Sequence, residues 1–432
     1  MKTETLADRT IVLGITGSIA AVRTIELAHE LIRRGAVVQA VMTEPAQRII
    51  HPDAIESATG RRAITGWTGK TPWVEYCAGG GVAGDCDVDC DDSNSNSDGS
   101  AADLLLIAPC TAATIGKIAH GIPDSLVSIC AVTAIGSDVP VAIAPAMHAD
   151  MYNPIVRANI DLLRSCGVMV IEPVIAEGKA KIAENGNIVR WVERALGGSA
   201  LAGKKVLITG GATAEPIDPV RILTSRASGR MGIELAFEAF RRGADVTLLH
   251  RGQTGFSGIR EIYVESAREM TGAVLDATGS GLGTNTNTDT RAGAGAGCDV
   301  LISAAAISDY TLDSSGDKIR SGAQLTLNLR PTEKLLGLVR AAHPDLAIVG
   351  FKLETSGGDL LIERARETMN RYGLAVVVAN TPDNMGGDCG EVWIITRHDP
   401  GQPRHVSGTK TIVAGVILDR IQEFLDGEGW GR

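Results

Sequence analysis

The feature that most constrains the fold is a pattern of strand, glycine turn, helix and strand that occurs twice in the chain. The first copy runs through residues 10–42, where an apolar strand reaches Gly14 and Gly17 and an amphipathic helix leads into a second strand. The second copy contains a strand that ends at Gly210 and Gly211. Two strands joined by a helix in this way pair in parallel, with the helix packed on the sheet. We therefore predict an α/β fold with two Rossmann-like domains.

The length of the chain agrees with two domains. A chain of 432 residues is too long for one hydrophobic core, because single cores stop growing at about 250–300 residues. The segment GGSALAG interrupts the α/β pattern at residues 197–203. We predict one domain over residues 1–198 and a second over residues 199–432. Residues 78–102 and 278–297 are rich in Gly, Ser, Asn and Asp, so we predict that they are flexible low-complexity inserts.

Composition argues against several classes of function. The formal net charge of −10 disfavours nonspecific nucleic-acid binding, which needs clustered Lys and Arg. No apolar run reaches the roughly 18 residues of a membrane span, and the polar start MKTETLADRT does not resemble a signal peptide. Cys86 and Cys90 lack the further ligands of a zinc site. We expect a cytoplasmic protein with no nucleic-acid or membrane partner.

Phosphate binding is one interpretation of the first glycine turn. Residues 14–21, GITGSIAA, lie where a strand meets a helix N-terminus. Backbone amides, the helix dipole and the hydroxyls of Thr16 and Ser18 would all favour a phosphate there. A tight turn in which Ser18 caps the helix explains the same residues, so the turn alone leaves both interpretations open. It is not a Walker loop, because the Gly-Lys-Ser/Thr ending is absent.

Two later segments favour a ligand site. Residues 108–114, APCTAAT, follow one buried apolar strand, and residues 144–148, APAMH, follow another. Open α/β sheets bind ligands at the carboxyl ends of their parallel strands. Together with the glycine turn, these segments predict one binding site in the first domain.

These residues resemble the motifs of a known family. The first half is similar to the flavin-dependent cysteine decarboxylases, which have a Gly-x-Thr-Gly-Ser-Ile-Ala turn, a Pro-Ala-Ser-Ala-Asn-Thr segment and a Pro-Ala-Met-Asn segment. The second half resembles phosphopantothenate–cysteine ligase. Its matching segments are residues 210–221, 228–232, 304–310, 318–319, 349–355 and 378–380. The chain as a whole resembles the bifunctional enzymes of coenzyme A biosynthesis, in their archaeal form.

The resemblance implies two successive reactions. The second domain would ligate cysteine to 4′-phosphopantothenate with CTP as co-substrate, and the first would decarboxylate 4′-phosphopantothenoylcysteine to 4′-phosphopantetheine with FMN. It also implies Mg²⁺ as a cofactor and assembly into a homo-oligomer. The expected partners are therefore small molecules, together with further copies of the chain.

The same resemblance implies the site residues. FMN would contact Gly14, Thr16, Gly17, Ser18, Thr43, Thr111 and Thr114. The nucleotide would contact Gly210, Gly211, Asp309, Lys318, Thr332, Glu333, Lys334, Leu335 and Phe351. Substrate would contact Ser225, Ala306, Asn380 and Lys179. Lys318 and His148 are the predicted catalytic residues, and no side chain is assigned to a metal.

Several positions depart from the family pattern. Trp73 stands where the decarboxylase has its catalytic base, and an indole cannot shuttle a proton. Ala113 replaces the asparagine that would hold the substrate carboxylate. Four further departures lie in the second half: Ser225, Arg230, Thr368 and Tyr372.

These departures leave an alternative open, in which only the ligase works and the first domain is a silent flavin-binding or scaffold domain. A nonenzymatic flavin-linked interaction module would require an inert ligase half, which the many motifs between residues 210 and 380 disfavour. A dinucleotide-dependent oxidoreductase is also disfavoured, because neither glycine turn fits Gly-x-Gly-x-x-Gly.

Overall fold

The fold is described from a computed structural model that covers residues 4–67, 72–78, 101–279, 297–322, 324–399 and 401–427. The chain divides into two compact units, Met1–Gly197 and Gly198–Arg432. Most of the two predicted inserts, residues 78–102 and 278–297, lies outside the described residues.

The first unit is built on a five-stranded parallel sheet with the order β2-β1-β3-β4-β6. Its strands are β1 (Thr10–Ile15), β2 (Val37–Met42), β3 (Leu104–Cys110), β4 (Val141–Pro145) and β6 (Met169–Val170). A small antiparallel sheet joins β5 (Met147–His148), β7 (Val174–Ala176) and β8 (Lys179–Lys181). The helices are α1 (Thr24–Ile32), α2 (Glu44–Gln47), α3 (Pro52–Thr59), α4 (Pro72–Cys77), α5 (Ala112–Ala119), α6 (Leu126–Gly136), α7 (Pro154–Ser165) and α8 (Asn185–Leu196).

The first sheet is covered by helices, so its central strands are apolar throughout. All residues of β1 and of β3 are buried, as expected for parallel strands packed on both faces. The chain passes from β1 to β2 on one side and reaches β3 on the other. A crevice at the carboxyl ends of β1 and β3 follows from this change of direction, and such crevices are the usual ligand sites of open α/β sheets.

The second unit contains an eight-stranded sheet with the order β13-β12-β9-β14-β17-β18-β19-β20. Its strands are β9 (Lys205–Thr209), β12 (Asp245–His250), β13 (Arg260–Tyr263), β14 (Val300–Ser303), β17 (Ala347–Leu353), β18 (Val376–Asn380), β19 (Cys389–Thr396) and β20 (Arg404–Thr409). Two short pairs are β10 (Ala214–Pro216) with β11 (Ile222–Thr224), and β15 (Tyr310–Thr311) with β16 (Arg330–Pro331). The helices are α9 (Arg230–Arg241), α10 (Ala267–Ala277), α11 (Leu335–Ala342), α12 (Asp359–Tyr372) and α13 (Lys410–Asp426).

The first six strands of this order, β13 to β18, are parallel, whereas β19 and β20 continue the sheet as antiparallel strands. Numbered along the chain, the six parallel strands have the Rossmann order 3-2-1-4-5-6. The direction of winding changes between β9 and β14, so a second crevice lies at their carboxyl ends. The predicted fold class, an α/β protein with two Rossmann-like halves, is confirmed.

None of the described helices combines the length and the apolar composition that crossing a bilayer needs.

Candidate functional site

One buried threonine joins the first glycine turn to the loop after β3. The Thr16 hydroxyl donates to the Pro109 carbonyl oxygen at 2.7 Å and accepts a hydrogen bond from the Thr111 amide at 3.1 Å. Only 1% of Thr16 is exposed. Its hydroxyl therefore fixes the spacing of the two loops at the crevice.

Close packing leaves no room for a side chain at Gly17 and little room for one at Gly14. A Cβ atom on Gly17 would lie 2.5 Å from the Cβ atom of Pro45, and one on Gly14 would lie 3.1 Å from Cγ1 of Val127. Ser18 caps the following 3-10 turn, because its hydroxyl accepts a hydrogen bond from the Ala20 amide at 3.3 Å. The contacts that the tight-turn interpretation requires are thus present at these residues.

The remaining predicted FMN residues meet at the same edge of the sheet. The Thr43 amide, at the end of β2, donates to the Ile15 carbonyl oxygen at 3.0 Å. The hydroxyls of Thr111 and Thr114 are 3.0 Å apart at the start of α5. Hydroxyls and amides at the N-terminus of a helix suit a phosphate ester. The donors at this edge therefore fit a flavin mononucleotide.

His148 and Lys179 lie opposite each other in the small antiparallel sheet, where β5 pairs with β8. Nδ1 of His148 is 3.2 Å from a carboxylate oxygen of Asp150, and 57% of the His148 side chain is exposed. Lys181, on the same hairpin, forms an ion pair with Glu177 at 2.7 Å that lowers the pKa of the Glu177 carboxyl. The predicted site residues His148 and Lys179 are therefore adjacent, and the Asp150 carboxylate lies beside His148.

Trp73 and Ala113 provide no acid or base. The Trp73 ring packs on the apolar core of the first unit, and it meets the Trp67 ring edge to face with 5.3 Å between centroids. Ala113 is exposed in the first turn of α5. Proton transfer in this unit would have to use other residues.

In the second unit, the loop after β9 touches the backbone at the start of α9. A Cβ atom on Gly232 would lie 2.8 Å from the Gly210 Cα atom. Gly229 has a φ of +78°, and a Cβ atom there would lie 3.0 Å from the Gly211 Cα atom. Gly210 is thus explained by packing against α9, whereas Gly211 also lines a cavity.

Backbone hydrogen bonds join the loops after β9 and β14. The Ala306 amide donates to the Gly211 carbonyl oxygen at 2.8 Å, and the Thr213 amide donates to the Ala306 carbonyl oxygen at 3.2 Å. The Thr213 hydroxyl accepts a hydrogen bond from the Ser308 amide at 2.9 Å. The Thr213 side chain therefore holds the loop after β14 against the loop after β9. Thr16 joins two loops in the same way in the first unit.

Two adjoining cavities open at this crevice. The first has a volume of about 720 Å³ and is lined by Ser225, Ala306 and Asn380, the predicted substrate residues of this unit. The second has a volume of about 690 Å³ and is lined by residues 332–335, the predicted nucleotide loop. Asp309 and Phe351 line both. The structure thus brings most of the predicted residues into two neighbouring groups.

The nucleotide loop is bound to the segment that carries Asp309. The Thr332 hydroxyl donates to the Ser308 carbonyl oxygen at 2.6 Å, and the Thr332 amide donates to the Asp309 carbonyl oxygen at 3.0 Å. Lys334 forms an ion pair with the Asp309 carboxylate. Five residues of α12 line the same cavity: Arg364, Glu367, Thr368, Arg371 and Tyr372.

Lys318 is exposed and is not among the described residues that line these two cavities. The next residue, Ile319, is fixed by hydrogen bonds of its backbone. Asp218 accepts a hydrogen bond from the Ile319 amide at 3.1 Å, and the Arg221 guanidinium donates to the Ile319 carbonyl oxygen at 3.0 Å. Burial raises the pKa of Asp218, but hydrogen bonds from the Val220, Ile319 and Arg221 amides and from the Arg221 side chain outweigh it and hold the pKa at about 2.

Sequence reasoning missed two lysines in the cavities. Lys352 lines both cavities, and its ammonium is 2.8 Å from a Glu354 carboxylate oxygen. Its position in the 349–355 motif was a signal that could have identified it. Lys410 lines the first cavity and is only 7% exposed. No sequence motif indicates Lys410, because the fold brings it to the cavity from the start of the last helix.

Comparison with known proteins covers both units. Residues 1–197 match the Flavoprotein family, and residues 201–425 match the DNA/pantothenate metabolism flavoprotein C-terminal domain. The chain is 42% identical to the coenzyme A biosynthesis bifunctional protein CoaBC of Thermococcus kodakarensis, over 98% of this chain and 97% of the relative. It is 32% identical to the protein of the same name from Methanocaldococcus jannaschii, over 98% and 96%.

A solved structure is also similar to part of the chain. The crystal structure of the C-terminal domain of a coenzyme A biosynthesis bifunctional protein CoaBC is 26% identical, with a TM-score of 0.41. The match covers 53% of this chain and all of that chain.

Proposed function

The chain belongs to the family of coenzyme A biosynthesis bifunctional proteins, and we propose that it uses CTP and Mg²⁺ to ligate cysteine to 4′-phosphopantothenate before it decarboxylates the product. It is an enzyme with a flavoprotein decarboxylase domain and a ligase domain. The observation that carries the proposed ligase site is the pair of cavities with a shared wall. Two substrates that must react with each other can occupy them side by side.

In the ligase half, 4′-phosphopantothenate occupies the first cavity and the nucleotide the second. A carboxylate oxygen attacks the α-phosphorus of CTP and releases pyrophosphate. The amine of cysteine then attacks the acyl carbon, loses a proton and releases CMP. Negative charge develops on the phosphorus centre during the first step, so cations placed there accelerate it.

Two lysines are available for this charge. Lys352 lines the shared wall, where carboxylate and α-phosphate would meet, and its ion pair with Glu354 at 2.8 Å orients it. Lys318 remains the predicted catalytic lysine. The hydrogen bonds of Asp218 and Arg221 to Ile319 support its positioning.

The nucleotide contacts Asp309, the 332–335 loop and Phe351. Its phosphates face the cationic Arg364 and Arg371 on α12. Within the described residues, no group of three or more His, Cys, Asp and Glu side chains is arranged to hold a metal. Mg²⁺ commonly binds through substrate phosphates and one or two carboxylates, so the proposed metal binds with the nucleotide.

In the decarboxylase half, residues at the crevice between β1 and β3 would hold FMN, and Ser18 and the first turn of α5 would hold its phosphate. Bound FMN supplies reversible two-electron chemistry, which eases the loss of CO₂ from the cysteine moiety. His148 and Lys179, opposite each other on β5 and β8, hold the substrate anion and exchange a proton at the imidazole. A carboxylate oxygen of Asp150 lies 3.2 Å from Nδ1 of His148 and can orient the ring.

The alternative of a working ligase with a silent first domain rests on Trp73 and Ala113. Against it, residues 1–197 match the Flavoprotein family, and both bifunctional relatives align over 98% of the chain. These matches favour two activities.

Self-association in the cytoplasm is part of the proposal. Several apolar side chains are exposed in the first unit, among them Ile19 at 76%, Ile155 at 72% and Ile175 at 61%. Contact with further copies of the chain would remove such surface from water. Light scattering of the purified protein measures the assembly.

Separate assays of the two half-reactions test this function. Ligation is followed as CMP release that depends on 4′-phosphopantothenate, cysteine and Mg²⁺, with ATP and AMP as the comparison. Decarboxylation is followed by supplying 4′-phosphopantothenoylcysteine to the FMN-loaded chain. Faster turnover with ATP would contradict the CTP assignment, and a supplied intermediate that stays intact would favour the ligase-only alternative.

A further inference from the structure

Lys410 is a nearly buried cation at the start of the last helix. It begins α13 and is 7% exposed in the wall of the first cavity. Its amide donates to the Asp388 carbonyl oxygen at 2.9 Å. In the part of the chain that the structure describes, no carboxylate forms an ion pair with its ammonium group.

The acidic residues nearest to Lys410 have other partners. The Asp388 carboxylate forms an ion pair with Arg230, and Glu234 accepts a hydrogen bond from the Thr411 hydroxyl at 2.9 Å. Burial lowers the pKa of Lys410 and so does Arg230, while Asp388 and Glu234 oppose the shift. Removing an ammonium group from water is costly unless an anion compensates it. The site therefore suits a ligand that brings negative charge.

Among the described residues, three cations line the first cavity, and two of them lie away from the wall shared with the second cavity, where Lys352 is found. Lys410 and Arg230 line that cavity and are not among the described residues of the second. The first turn of α9 lies beside them, and its N-cap residue, Gly229, offers no side chain to the free amides. These groups lie off the wall that the two cavities share, where Asp309 and Phe351 are found.

The proposed substrate has an anion at each end. Its carboxylate must reach the shared wall to attack the nucleotide, so its phosphate must occupy the rest of the first cavity. Resting on the proposed function, we propose that Lys410, next to Arg230, binds the phosphate of 4′-phosphopantothenate and is the residue that selects the phosphorylated substrate over pantothenate. A correctly seated phosphate then directs the carboxylate to the shared wall.

The test compares ligation of 4′-phosphopantothenate and pantothenate by the full-length chain and its K410M variant. A lost charge-assisted hydrogen bond should raise the KM for 4′-phosphopantothenate about 10- to 100-fold. At saturation, kcat should change less than about threefold, and kcat/KM for pantothenate should also change less than about threefold. K410R, which keeps the charge, should recover part of the affinity. K117M, which removes a partly exposed lysine of the first unit that forms an ion pair with Asp124, is the matched control and should ligate both substrates as the wild type does.

Equal losses with both substrates, or an unchanged KM for 4′-phosphopantothenate, would overturn the role of Lys410. Calorimetric binding of 4′-phosphopantothenate to the wild type and K410M decides the same question without turnover. A wild type that binds the compound but never releases CMP would contradict the proposed function and leave the Lys410 test intact. If K410M does not fold, inorganic phosphate should compete with 4′-phosphopantothenate in the wild type and compete less well in K410R, and no competition would refute the site.

Discussion

Replacing Thr16 with alanine should loosen the flavin site, because one hydroxyl joins both of its loops. The T16A variant loses the 2.7 Å bond to the Pro109 carbonyl oxygen and the 3.1 Å bond from the Thr111 amide. An unsatisfied buried polar group costs about 1–3 kcal/mol. Thr111 is only half-buried, so water can reach its amide in part. We expect a loss of about 2–4 kcal/mol in the local free energy of opening.

Hydrogen exchange measures this opening in the full-length chain. Amides of residues 10–20 and 104–114 should exchange about 30- to 700-fold faster in T16A, which is the same free energy expressed as a ratio at 1.4 kcal/mol per tenfold. Amides of β9 and β14 in the second unit serve as the internal reference. Purified T16A should also retain less FMN, measured from its visible absorbance.

The T16S variant is the matched control, because it keeps the hydroxyl and loses only a methyl group. In T16S, the free energy of opening measured for both segments should lie within about 1 kcal/mol of the wild-type value. If T16A exchanged at the wild-type rate and kept its full complement of FMN, the hydroxyl would not hold the two loops together.

Three further predictions follow from the described contacts. G17A should distort the glycine turn and lose FMN absorbance, because its Cβ atom would lie 2.5 Å from the Cβ atom of Pro45. G66A is the control and should retain FMN, because a Cβ atom there would meet no atom within 4 Å. K352M should lower the ligation kcat about 100-fold, measured as CMP release, and should leave the decarboxylation of supplied 4′-phosphopantothenoylcysteine unchanged. The folded-state pKa of Asp218, about 2, lies below its ordinary value. The ionised carboxylate therefore stabilises the fold at neutral pH, and this contribution disappears as the pH falls from about 4 to 2. D218N should therefore be less stable than the wild type at pH 7 and similar to it near pH 2 in acid unfolding, and a difference that stays constant with pH would contradict the assignment.

Much of the fold could be predicted from local patterns. The strands at β1 and β3 are apolar at nearly every position because both faces are covered, and a glycine turn followed by an amphipathic helix indicates the crossover. The substrate and nucleotide residues were identified by motif, and most of them line two adjoining cavities.

The remaining features depend on contacts between distant segments. The hydroxyl of Thr16 bonds to residues more than 90 positions away, so the sequence could not distinguish a ligand contact from a structural bond. Lys410 is the first residue of the last helix, which follows β20, and the pairing of β20 with β19 helps to bring it to the first cavity. The juxtaposition of His148 and Lys179 likewise depends on the pairing of β5 with β8.

The most direct test of two working halves is a single incubation of the FMN-loaded chain with 4′-phosphopantothenate, cysteine, CTP and Mg²⁺, followed by mass spectrometry. The account predicts that 4′-phosphopantetheine forms, with CMP and CO₂ released in equal amounts. Accumulation of 4′-phosphopantothenoylcysteine without 4′-phosphopantetheine would contradict it and would show that Trp73 and Ala113 mark a decarboxylase domain without activity.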